Sequence, residues 1–155
     1  MDHVKEMADG NPLISIFFTA PLLLHKLYIC IMKEIKSINI MEKFSLFEKK
    51  WTPHIIGDLN GQYVKLCKLK DDFVWHSHED EDELFMVFKG TLLMDFRDGP
   101  TVEVKEGEIL IVPKGVEHRP HTNGEIVFNL LFEPKTTLHT GNLESEMTIK
   151  ETDWI

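Results

Sequence analysis

A chain of 155 residues has room for one domain with a real core and not for two comfortable ones. With 43% hydrophobic and 28% charged residues, global disorder is excluded. Residues 41–155 hold 13 Lys/Arg against 22 Asp/Glu, while residues 1–40 balance four against four; an acidic folded part repels phosphate backbones and anionic lipid, so neither nucleic acid nor a membrane is expected as a partner.

In chain order, the first feature is an apolar run over residues 12–32, about as long as a bilayer is thick. Its details argue against a span or a signal. The segment ahead of it is acidic, no A-x-A pattern follows, His25 and Lys26 interrupt it, and Pro21 breaks a helix near its middle. Met32 opens a stretch that reads as the start of a soluble domain. Residues 1–40 are therefore expected to be a non-barrel extension, of which residues 1–31 lie upstream of the true start; a natural protein whose mass begins at Met1 would refute this.

After Trp51 the chain becomes a series of short β-type runs separated by turns, the pattern of an all-β sandwich or barrel. The turns are Leu59-Asn60-Gly61, Lys89-Gly90, Arg97-Asp98-Gly99-Pro100, Glu106-Gly107, Pro113-Lys114-Gly115 and Asn123-Gly124. Leu92, Met94 and Phe96 alternate with Leu93, Asp95 and Arg97, as on a strand with one buried face. Residues 109–112 and 126–132 are apolar on both faces apart from Asn129, which predicts cover on both sides by a second sheet or a partner chain. Many antiparallel strands without helices hide their edges most economically by closing into a jelly roll. The barrel is placed over residues 41–135, with residues 136–155 as a polar tail packing back onto it. Two separated cysteines, Cys30 and Cys67, form neither a disulfide framework nor a C-x-x-C pair, which fits a cytoplasmic location.

The chemistry concentrates in Trp75-His76-Ser77-His78 and the acidic run that ends at Glu83, with His118 following thirty-five residues after Glu83. Residues two apart in a strand share a face, so His76 and His78 project together. Glu83 can begin the next strand after a turn, and His118 can add a third nitrogen from another. Imidazole and carboxylate suit Fe(II), Mn(II), Ni(II), Co(II) or Zn(II). Three nitrogens and one oxygen leave open positions on an octahedral ion, whereas zinc held by four protein ligands tends to a closed structural site. Glu79 to Asp82 read as a solvated acidic turn, with Asp82 the reserve candidate. Arg119 and His121 are within reach of a bound anion only if they face the mouth, and Trp75, pointing opposite His76, is expected in the core or at a dimer contact. His54 and His139 are given no role.

The segment His76-x-His78-x4-Glu83-x6-Gly90 resembles the first motif of the cupin superfamily, and Gly107-x5-Pro113-x-Gly115-x2-His118 resembles the second. The likeness covers about residues 42–135 and implies an RmlC-like double-stranded β-helix, a jelly-roll barrel with one divalent metal on His76, His78, Glu83 and His118. It also implies a homodimer of small bacterial type, in the group labelled mannose-6-phosphate-isomerase-like. Two departures stand out: Lys70 occupies the place of the first motif's leading glycine, and Thr122 that of an asparagine after the second-motif histidine. Similar cupins include isomerases, dioxygenases and lyases, so three readings stay open for a small oxygenated metabolite: a metal-dependent enzyme, a non-catalytic binding or sensor module, and a structural site. Fold does not choose among them.

Overall fold

The computed structural model describes residues 35–141, 143, 145–149 and 151–155. The apolar run at residues 12–32 and the expectation about Met32 lie outside the described residues. Among the described residues, no helix is long and apolar enough to cross a membrane.

A short helix, α1 (Ile40–Phe44), leads into eight strands: β1 (His54–Leu59), β2 (Gln62–Leu69), β3 (Glu83–Lys89), β4 (Leu92–Phe96), β5 (Val102–Val104), β6 (Ile109–Val112), β7 (His118–His121) and β8 (Val127–Pro134). They form a five-stranded sheet in the order β1-β2-β8-β3-β6 and a three-stranded sheet β5-β4-β7, antiparallel throughout. This is the all-β jelly roll that alternation and turn spacing predict.

Period-two burial decides what the strands carry inward. Along β8, Val127, Asn129, Leu131 and Glu133 are buried while the residues between them are half-exposed; along β3 the buried set is Glu83, Phe85 and Val87. Cys67, Leu69, Phe85, Val87, Leu92, Met94, Val104, Val112, Val127 and Leu131 make the interior cluster. Inward positions hence begin apolar and turn polar along the same strands, and the polar end is where the candidate site lies.

The outer face of the larger sheet is covered on one side by α1. The Asn39 side chain accepts hydrogen bonds from the Met41 and Glu42 amides at 3.1 and 3.2 Å, satisfying free donors of the first turn. The fully buried Phe44 then stacks on Phe128 at 4.6 Å between ring centroids; burying a side chain of that size contributes about 1.5–3 kcal/mol. Of the two covers expected for residues 109–112, a second sheet is not found over their other side among the described residues, and Ile109 and Ile111 are 57% and 55% exposed within this chain. The reason is topological, since β6 is the edge strand of its sheet.

Gly90, the last residue of the first motif, has φ +83°, and a Cβ there would meet Val127 Cγ2 at 3.2 Å and the Ile126 carbonyl at 3.3 Å. Both the turn and the close approach of β8 require glycine. At the motif's other end the left-handed residue is Asp71 (φ 61°), not the Lys70 that replaces the glycine, and the Lys70 carbonyl accepts the Trp51 indole N–H at 2.7 Å.

A candidate metal centre at the barrel mouth

Each donor is placed by a strand partner. His76 and His118 face one another across an antiparallel bridge, exchanging backbone hydrogen bonds of 3.0 and 2.9 Å, which brings their rings to 4.3 Å. Each ring is oriented by its own chain: His76 Nδ1 lies 3.0 Å from the Val74 carbonyl and His118 Nδ1 2.9 Å from that of Val116. An Nδ1–H donated to a carbonyl leaves the Nε2 lone pair free, the tautomer a metal ligand needs. His78 sits two residues beyond His76, and its carbonyl accepts the Gly115 amide at 2.6 Å, tying the loop to the second-motif turn. Glu83 opens β3 opposite Val112.

Glu83 Oε2 lies 3.2 Å from His78 Nε2 and 3.4 Å from His118 Nε2. One ligand atom from each of His76, His78, Glu83 and His118 falls within 4.8 Å of all the others, and all four residues are buried. Ligand atoms bound to one first-row ion at about 2.0–2.2 Å are spaced by about 3.0–3.5 Å when adjacent, so the cluster has the size of a coordination sphere. His78 Nε2, His118 Nε2 and Glu83 Oε2 have no hydrogen-bond partner despite burial. Buried polar atoms without partners are costly, and a cation would satisfy all three at once.

The electrostatics agree. Burial pushes the His76 imidazole down to about 4, helped by His118, so it is neutral at physiological pH. Burial alone would raise the Glu83 carboxyl, but the His118 and His78 imidazoles beside it hold it below the usual carboxylate range. Burial pulls His78 down, yet the adjoining Glu83 carboxylate outweighs it and the net shift is upward. A proton on His78 therefore competes with a metal for the same nitrogen.

Other residues singled out in the sequence go elsewhere. Asp82 accepts the Lys114 amide at 2.9 Å and stabilises the second-motif turn instead of joining the cluster. Arg119 and His121 turn toward Asp95, at 2.7 and 3.3 Å, holding its carboxyl down to about 2 together with the Thr101 hydroxyl. Trp75 lies under the Arg97 guanidinium, 4.0 Å from its ring centroid. Thr122, in the place of the asparagine, is buried and accepts the Asp71 amide at 2.9 Å, so the hydroxyl holds the strand that leads to His76.

Sequence reasoning missed three residues. His139, from the tail, lines a small chamber of about 30 Å3 beside His76 and Glu83, with Trp51, Leu69, Phe73 and Leu131 also on its wall. That is room for one or two water-sized molecules. Lys65 and Glu133, both buried, pair at 2.7 Å inside the same barrel. One place beyond the Leu84↔Phe132 pair, Glu133 and Glu83 oppose each other on adjacent strands. Burial and the charge of Glu83 raise the Glu133 carboxyl to about 7. Charged residues at inward positions of otherwise apolar strands were the available signal for Lys65 and Glu133; His139 had none.

The tail is fitted closely to this end of the molecule. Gly141 (φ +55°) lies so near the Ser77 backbone that a Cβ would collide with its carbonyl, between the two ligand histidines. Only glycine allows that approach.

Fold and site together define a small jelly-roll domain with a group of side chains that could hold a metal. The cupin domain family model matches residues 66–143, half of the chain, and the chain belongs to that family. The uncharacterized protein YdbB of Bacillus subtilis is 35% identical over 100 residues, covering 64% of this chain and 88% of that protein. A cupin-2 domain containing protein from Shewanella frigidimarina superposes with a TM-score of 0.61 at 43% identity, over 63% of this chain and 94% of the other. Acireductone dioxygenase 1 of Coprinopsis cinerea is 40% identical over 57 residues, which span 34% of this chain and 32% of that enzyme.

Proposed function

We infer that the protein is a divalent-metal cupin enzyme of the dioxygenase type, acting on a small oxygenated metabolite in the barrel mouth. The observation that carries this is the buried three-histidine, one-glutamate cluster at the barrel mouth. When bound there, Fe(II) or Mn(II) supplies dioxygen activation, and Ni(II), Co(II) or Zn(II) a Lewis acid. The chain's own part is to orient the His76 and His118 rings through the Val74 and Val116 carbonyls and to exclude bulk water. The partial likeness to a fungal acireductone dioxygenase supports the oxidative reading.

Elemental analysis of protein purified without an affinity tag, with oxygen-electrode assays, tests this reading. Iron or manganese near one per chain with substrate-dependent oxygen uptake is expected. Zinc retained against chelators, with no exchangeable position, would replace it by the structural reading. The homodimer implied by family resemblance is carried forward as a proposal, supported by the edge position of β6 and the exposed Ile109 and Ile111; a monomer mass on size exclusion would remove it.

A further inference from the structure

A second cavity, of about 300 Å3, lies between the strands and the tail, with Tyr63, Lys65, Thr137, His139 and Trp154 on its wall. His139 lines both this cavity and the chamber beside His76 and Glu83, so the two share one side chain as a partition. The volume is at the lower end of the range of small-molecule sites, about 300–1,000 Å3.

The polar groups around this cavity are under-used. Lys65 has three N–H donors and spends one, on Glu133 Oε1 at 2.7 Å. Glu133 Oε2, Thr137 Oγ1 and His139 Nε2 are buried with no hydrogen-bond partner. His139 is engaged only through Nδ1, 3.4 Å from the Ile149 amide. A buried ion pair kept for stability is worthwhile only when its remaining lone pairs and protons are satisfied. Here they are not, although both side chains are at most 4% exposed.

We propose that Lys65, held in place by Glu133, together with Thr137 and His139 forms a recognition site for the carboxylate of a small monocarboxylate, set beside the ligand cluster and divided from it by the His139 side chain. The spare Lys65 and Thr137 donors match a carboxylate, and His139, whose Nδ1 accepts the Ile149 amide, adds an Nε2–H. One ammonium already shared with Glu133, with Glu151 also on the wall, suits no more than a single negative charge. A phosphate dianion needs a second free cation, and Lys135, the other ammonium on the wall, is engaged with Asp58. Glu133 is on this view a positioning residue.

The proposal rests on the metal-centre reading and deepens it, and one experiment separates the two. Cobalt-loaded protein is titrated with azide, lactate, 1,2-propanediol and glycerol 3-phosphate, following the visible cobalt spectrum and the heat of binding. The variant is Lys65→Met with Glu133→Leu, which removes both charges at similar volume and so is expected to fold. Lactate is expected to bind wild type at least about tenfold more tightly than the diol or the phosphate ester, and the double variant to lose at least about tenfold in lactate affinity, as for loss of a charged hydrogen-bond donor. Cobalt content and azide binding stay unchanged in the variant. Lactate binding equal in wild type and variant, absent from wild type, or matched by the diol or phosphate ester overturns the proposal alone. Failure to take up cobalt overturns the metal centre with it.

Discussion

The two halves of the barrel interior are built by the same strands and obey opposite rules. On β3 the inward residues run from Val87 through Phe85 to Glu83, and on β8 from Val127 to Glu133. The apolar half gains from nearly every atom it hides, with Asn129 as a polar exception. The mouth hides four histidines, two glutamates and a lysine, and leaves several of their polar atoms without partners. On the proposed reading, a cation and a ligand satisfy them.

That contrast predicts different responses to substitution. The largest effect is expected from Glu133→Leu alone, which strands the Lys65 ammonium and costs about 3–5 kcal/mol, whereas adding Lys65→Met restores stability or raises it by about 1–4 kcal/mol. Urea denaturation of the single and double variants measures both. A double variant less stable than the single would show the pair to be structural. In the apolar half, Met94→Ala, at a fully buried position, should lose about 2–5 kcal/mol by transfer and cavity formation. Its folded fraction should bind metal with unchanged stoichiometry in a chelator competition. A change in stoichiometry would mean that the two halves are coupled.

His118→Ala should weaken metal binding by more than the roughly 10–100-fold typical of losing a ligand's outer partner, read by competition against a chromophoric chelator. Binding within a factor of two of wild type would remove His118 from the ligand set.

The smallest effect is on pH dependence. His78 is raised above its ordinary value by the Glu83 carboxylate, so protonation of His78 competes with metal binding. Metal affinity should therefore fall as pH drops through the His78 value, by up to about tenfold per unit for one displaced proton. Calorimetry in buffers of different ionisation enthalpy should find proton release that grows as pH falls; zero release at every pH would contradict the competition.

Much of the site was legible before folding because it is local. His76 and His78 are two residues apart, and Glu83 and Gly90 stand at fixed distances along the same stretch, so one short segment with a single turn carries three of the four candidate ligands. Gly90 needs its left-handed φ and its bare α-carbon, and a glycine in that place reports both. Arg119 and His121 show the limit of such reading. Their nearness to His118 in sequence suggested the mouth, but β7 pairs with β4 so that Asp95 lies opposite Arg119 and engages both side chains.

The sequence by itself determined the all-β class, the turn positions and four candidate ligands, because period-two patterning, glycine conformations and motif spacing are properties of neighbouring residues. Only the tertiary structure decided that Lys65, Glu133 and His139 share the mouth with those ligands, and that β6 leaves its isoleucines uncovered. Both depend on which strands lie side by side and on where the tail returns. Those placements follow from the summed packing of segments far apart in the chain, which no single stretch encodes.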